Sequence, residues 1–399
     1  MKRLRGLDIS RGIGILLVVL IHSLKYFYKG INSINFDSPS PIISFIGSVG
    51  LWAGLFIFLS GVTHMYSSVG KSSKGRTKKF IVFGILLLIL NFVYLYLFAP
   101  PNLDIYGGVP HYSIIDNFVK NGVLSFPIFK DIFRTTPLLL LGLCWIFIAP
   151  FSKFLLNKKD SDRKIISLFI FFSLLIVVAS VFRVWFYPDY SRLLTPSYSF
   201  TSFLYAIFMS SYSPVIPFAV FLFAGVYFGK FIIIMHRFEK YKKILLNFAF
   251  LLFISGIIGA IFAPGRIIKM QTDYVWASDI LIGYSFCLIC IILLVSAYDL
   301  KCKRLSWFSR LINDFGFISL TIFIFEGVVA GLVAKIWAVI YPNWGNSKIL
   351  VSFFALGNVF VWYGLILLWK KVNYKFSIEY CTVRFYDLFG LVSKKLVTN

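Results

Sequence analysis

Ser10-Arg11-Gly12-Ile13-Gly14-Ile15-Leu16-Leu17-Val18-Val19-Leu20-Ile21-His22-Ser23-Leu24-Lys25-Tyr26-Phe27-Tyr28 is the stretch that decides the fold. Its length falls within the roughly 17–25 residues that an α-helix needs to cross a ~30 Å hydrocarbon layer. Asp8, just ahead of it, suits an N-cap or first turn, where a carboxylate meets the positive end of the helix dipole. The run is long and has no small-residue cleavage site, so it reads as a signal anchor. His22 lies eleven residues beyond Arg11, or ~16 Å along a helix. That is about half the depth of the hydrocarbon layer. An ionisable side chain at such depth is costly and marks a functional site by default. Imidazole is also the group most easily tuned to exchange protons near neutral pH. The plainer reading of His22 is a packed side chain giving one hydrogen bond to a neighbouring helix. Arg11, one turn from Asp8, either pairs with it and snorkels to lipid phosphate or holds the phosphate of an anionic cofactor entering from the cytoplasm.

The rest of the chain resembles this stretch. Of 399 residues, 59% are hydrophobic and 14% charged, and the mean hydropathy is +0.84. A soluble chain would carry about 25% charged residues. Ten apolar spans are predicted, near 10–28, 43–66, 79–98, 136–154, 164–187, 213–235, 243–263, 276–298, 315–340 and 348–370. The predicted fold is all-α, a single polytopic helical bundle over 1–399 ending in a basic tail, 371–399. The ~10-residue alternating segments of a membrane β-barrel are missing. The apolar, Ser- and Tyr-rich stretch 198–212 is short enough to be re-entrant or interfacial.

The formal charge of +24 follows the spans. Of the 40 Lys and Arg residues, 28 fall at the N-terminus, in 71–79, 153–164, 230–243 and 301–310, and in the tail from Lys370. These segments alternate to one side, so the positive-inside rule places both termini in the cytoplasm of a multi-pass integral cell-membrane protein. The basic excess is then an orientation signal and an attraction to anionic lipid, and no nucleic-acid partner is expected.

The five cysteines, of which Cys287 and Cys290 share a span, show no disulfide or metal spacing, and no metal is expected. Neither a P-loop nor a dinucleotide fingerprint is present. The basic run Lys71–Lys79, with Arg76, Lys78 and Lys79, either reports topology alone or receives nucleotide phosphates. The longest outer connection, about 99–135, is the expected lid or acceptor platform, and His111 within it is a candidate acceptor contact. Asp279, at the outer start of the eighth span, is either an N-cap or a second such contact. Asn91 and Asn358, inside spans, are expected to bridge helices.

Four motifs carry a family resemblance, in order. Leu7-Asp8-Ile9-Ser10-Arg11-Gly12, with Val18-Val19 and His22, resembles the opening of the transmembrane acyltransferases. Leu59-Ser60-Gly61 resembles their second motif. Pro214-Val215-Ile216-Pro217-Phe218, then Phe223-Ala224-Gly225 and Gly229, is similar to a span of the heparan-alpha-glucosaminide N-acetyltransferase catalytic family. Gly316-Phe317-Ile318-Ser319-Leu320-Thr321 resembles that family's late motif. The related acyltransferase family 3 shares the first two. The resemblance implies transfer of an acetyl or longer acyl group from cytoplasmic acetyl-CoA to a hydroxyl or amine of a sugar or lipid-linked glycan at the outer face. It carries His22 over as the catalytic base, and it is compatible with a homodimer.

Where relatives end the late motif in His, this chain has Glu326, at a depth close to that of His22. A buried carboxylate beside an imidazole orients it and stabilises its cation. The plainer reading of Glu326 is a protonated acid, or a partner of Arg183 or Lys335. The expected site is therefore His22 and Glu326 for catalysis, Asp8, Arg11, Arg76, Lys78 and Lys79 for the acyl-CoA, and His111 and Asp279 for the acceptor. The rival expectation is a proton-coupled transporter or flippase in which His22 and Glu326 form the relay.

Overall fold

The computed structural model describes residues 3–30, 53–68, 73–100, 113–127, 135–155, 160–193, 200–209, 214–262 and 274–390. Among them no strand occurs. The helices are α1 (Arg5–Phe27), α2 (Ala53–Ser67), α3 (Ser73–Val93), α4 (Ile114–Asn121), α5 (Pro137–Ile148), α6 (Ser152–Leu155), α7 (Asp162–Leu193), α8 (Phe200–Met209), α9 (Val215–Ile233), α10 (Met235–Phe262), α11 (Tyr274–Val295), α12 (Trp307–Phe317), α13 (Ser319–Ile340), α14 (Lys348–Lys371) and α15 (Ile378–Leu388). Single π-helical turns, Tyr94–Phe98 and Ser296–Leu300, extend α3 and α11.

Nine helices among the described residues are long and apolar enough to cross a membrane. The chain is a multi-pass membrane protein of all-α architecture, since in lipid every backbone group must be satisfied within its own helix. These nine match nine of the ten predicted spans. For the other, 43–66, α2 supplies the described part, and 43–52 lie outside the described residues. The ninth span begins at Ser319 rather than 315, because Ile318 leaves helical geometry (φ −118°, ψ 35°) and separates α12 from α13. Of the 198–212 stretch the described residues form α8, ten residues long, and 198–199 and 210–212 lie outside the described residues.

Contacts divide the chain into two compact units: Met1–Ser10, Asn35–Leu87 and Thr135–Leu305 form the first; Arg11–Ile34, Leu88–Arg134 and Ser306–Asn399 form the second. In the first, α9 is the centre and packs on α2, α5, α7 and α10. Helices in lipid gain no hydrophobic drive from one another, so close backbone approach at small residues matters more. A Cβ on Gly225 would lie 2.1 Å from the Phe58 carbonyl oxygen, and one on Gly61 2.4 Å from that of Leu222. These are the glycines of the second and third motifs. Trp145 Nε1–H donates to Ser60 Oγ at 3.0 Å and ties α5 to α2.

In the second unit α13 is the centre, packed on α4, the Tyr94–Phe98 turn, α12, α14 and α15. The predicted tail contributes a structural element. Glu379 on α15 accepts from the backbone N–H of Leu320 (2.7 Å) and Thr321 (3.3 Å), and from the Thr321 hydroxyl. Ile378 N–H in turn donates to Thr321 Oγ1 at 2.8 Å. The first turn of α13 has no capping side chain of its own, so Glu379 satisfies amides that would otherwise lack partners. Burial pushes the Glu379 carboxyl up, and the Thr321 hydroxyl and the amides pull it back.

Candidate functional site

The second unit brings α1, α4 and α13 together around His22. On α1, Ser23 Oγ accepts from Asn358 Nδ2 on α14 at 3.0 Å, the bridging role expected of Asn358, and this bond sets the rotation of α1 next to His22. On α13, Glu326 is buried. His22 Nδ1–H donates to Glu326 Oε1. The carboxylate side chain is 3% exposed and the imidazole 28%. Glu326 is thus sealed behind a ring that keeps an accessible edge. Lys335, one of the partners expected for Glu326, is exposed further along α13.

A carboxylate on Nδ1 fixes the tautomer in which Nε2 carries the lone pair, and it stabilises the imidazolium that forms when Nε2 takes a proton. The Tyr26 ring, one turn on, lies 5.2 Å from the His22 ring. Placing a carboxylate and an imidazole together at this depth makes an orientable base in a medium that strengthens electrostatic interactions.

The third face of the site comes from α4, within the connection expected to be a lid. Gly122 ends α4 with φ +73°, a left-handed C-cap suited to glycine. Asp116 and Lys120 stand one turn apart, with Lys120 Nζ 2.8 Å from Asp116 Oδ1 and 3.0 Å from Oδ2. Asp116 is fully buried. Burial pushes its carboxyl up; Lys120 pulls it back, and the charge of Glu326 adds to the rise. Burial pushes the Lys120 ammonium down, while Asp116 and Glu326 pull it up. The Lys120 ammonium also lies over the Tyr26 and Phe27 rings, at 5.8 and 5.7 Å.

Sequence reading did not single out Asp116 or Lys120. An Asp-x-x-x-Lys pair in a loop reads as a solvated i,i+4 pair. The one usable signal was that its neighbours, Ile114, Ile115, Phe118 and Val119, are too apolar for a freely solvated turn.

The other expected residues fall in both units. Asp8 is buried, pairs with Arg3, and belongs to the first unit with Arg76, Lys78 and Lys79, whereas Arg11 belongs to the second. Lys79 is nearly buried and donates to Ser67 Oγ at 2.7 Å. Asp279 is buried on α11 of the first unit. His111 lies outside the described residues. A small apolar cavity in the first unit is lined by Leu55, Phe58, Phe221, Tyr284, Cys287 and Leu288, among others, with no His, Asp, Glu or Lys in its lining. Among the described residues no three His, Cys, Asp or Glu side chains gather as a metal site would need.

No protein-family model matches the chain, and no curated protein matches it.

Proposed function

We propose that the protein is a membrane acyltransferase that moves an acetyl or longer acyl group from a cytoplasmic acyl-CoA to a hydroxyl or amine of a sugar or lipid-linked glycan. The observation that carries this reading is the His22–Glu326 pair: a half-open imidazole whose Nδ1–H is held by a buried carboxylate. The ordered motif resemblance supports it, since His22 is the residue that resemblance carries over.

A thioester is already an activated donor, so the chain must supply a base and an alignment. His22 Nε2 takes the proton of the acceptor hydroxyl or amine as its oxygen or nitrogen bonds to the thioester carbonyl carbon. The C–S bond then breaks, and the departing thiolate recovers the proton from Nε2. Glu326 stabilises the intervening imidazolium. Arg76 and Lys78, at the start of α3, are proposed for the CoA phosphates, on the face that the charge distribution assigns to the cytoplasm.

A second reading rests on one observation, the closeness of four ionisable groups, His22, Glu326, Asp116 and Lys120, in one unit of a membrane protein. Such clusters also serve as proton relays in transporters. Two assays on the protein in vesicles separate the readings: thiol release from acetyl-CoA with a polyprenyl-linked sugar as acceptor, and proton uptake followed by an internal pH dye. Acyl transfer predicts sugar-dependent thiol release that His22→Ala lowers by about 10²–10⁴-fold, the range for loss of a general base, while expression and thermal stability are kept. Proton uptake without thiol release, or full transfer by His22→Ala, removes the assignment.

A further inference from the structure

Lys120 and Asp116 are neighbours on a single helix, so their ion pair joins no two elements. A buried intrahelical pair is also a poor source of stability. Removing both charges from water costs more than the attraction reliably returns, and apolar side chains of the same size would pack as well or better. The pair therefore needs a purpose outside α4.

The surroundings supply one. α13 presents glycine where α4 crosses it: a Cβ on Gly331 would lie 2.9 Å from Val119 Cγ1 and 3.6 Å from Lys120 Cγ, and one on Gly327 3.7 Å from Asp116 Oδ1. Asp116 consequently sits against the residue next to Glu326. Two buried carboxylates are thus carried on packed helices at neighbouring positions, and two negative charges so placed repel one another. His22 answers one of them and Lys120 answers Asp116. Lys120 is held for this task by Asp116 on one side and by the Tyr26 and Phe27 rings of α1 on the other.

We infer that Lys120 is a positioning residue for the His22–Glu326 pair. Its ammonium offsets the negative charge of Asp116, so that the Glu326 carboxylate keeps hold of His22 Nδ1–H. Without it, the proton that settles on the carboxylates turns Glu326 into a poorer acceptor, and the ring loses its orientation. The inference rests on the acyl-transfer reading for its consequence in catalysis, but the charge balance itself does not.

The test compares Lys120→Met with Lys120→Met/Asp116→Asn, which removes both charges at once. Lys120→Met is expected to lower sugar-dependent thiol release from acetyl-CoA by about tenfold or more, the scale of a one-unit change in a proton affinity, with KM for acetyl-CoA unchanged. The double variant is expected to recover most of the loss, because Asp116 no longer presses on Glu326. A purely structural role also predicts recovery in the double variant, because the single change leaves Asp116 buried and unpaired, but it predicts expression and melting temperature falling in step with activity, whereas a positioning role predicts a lowered kcat at unchanged melting temperature. The second readout is the low-field Nδ1–H proton resonance of His22 in imidazole-labelled protein, assigned by its loss in His22→Ala. It should weaken or move in Lys120→Met and return in the double variant. Full activity and an unchanged resonance in Lys120→Met overturn the inference, as does a double variant no better than the single one. If wild-type protein transfers no acyl group while the resonance still follows this pattern, the charge balance stands and the acyltransferase reading falls.

Discussion

Glu326 illustrates how one side chain is read twice. In sequence it is a lone carboxylate in an apolar run, and such a group either finds a partner or gives up its charge. In the structure it has His22. Glu326→Gln keeps the shape and one hydrogen bond but loses the charge that stabilises imidazolium. It is expected to lower kcat by about 10–10³-fold with KM for acetyl-CoA little changed, below the full loss of a general base; loss of expression instead would make Glu326 a structural residue. His22 and Glu326 were both legible because the bilayer makes any polar group in a span conspicuous. Asp116 and Lys120 were not, because their burial comes from Gly327 and Gly331, more than two hundred residues away. The expected phosphate-binding set shows the converse. Arg11, Arg76, Lys78 and Lys79 were chosen by charge alone, and charge does not report that Lys79 is already engaged with Ser67.

At the scale of elements, the motifs that carried the resemblance turn out to be packing and capping devices. Gly61 and Gly225 let α2 and α9 meet backbone to backbone. Any Cβ at Gly225 meets the rigid carbonyl of Phe58, so Gly225→Val is expected to destabilise by about 1–3 kcal/mol, as overpacking does, and a lowered melting temperature in detergent checks this. The Gly316–Thr321 motif encloses the break at Ile318 and the first turn of α13, and Leu320 and Thr321 are the residues that Glu379 caps. Glu379→Ala is expected to cost about 1 kcal/mol or more, the scale of a lost helix cap. It should also release α15, read as faster proteolysis between Lys375 and Arg384. If both stability and cleavage are unchanged, the cap contributes nothing. The break at 318 was hidden in sequence because hydropathy runs through it, and the cap was hidden because it arrives from another part of the chain.

For the whole molecule, hydropathy predicted the spans closely because it measures the same quantity that the bilayer selects. It failed for α4, whose polarity is inverted relative to a soluble helix. Asp116 and Asn117 face inward, while Phe118 is 52% exposed, and Leu124 and Phe126 just beyond α4 are 70% and 76% exposed. Phe126 also touches Tyr96, which follows the exposed Ile89, Phe92 and Val93 of α3. A charged side turned inward and an apolar side turned outward is the arrangement that hydrocarbon stabilises and water does not. α4 is therefore predicted to lie within the bilayer as a short re-entrant piece rather than as a lid in water. Nitroxide labels at Phe118→Cys and Phe126→Cys, in vesicles, should be relaxed strongly by oxygen and weakly by a water-soluble nickel chelate. Phe376→Cys, also exposed but flanked by Lys375 and Ser377, serves as the contrast and should respond more to the chelate. Strong chelate relaxation at Phe118 and Phe126 would place α4 in water, and the site would then open to the aqueous phase on that side instead of to lipid.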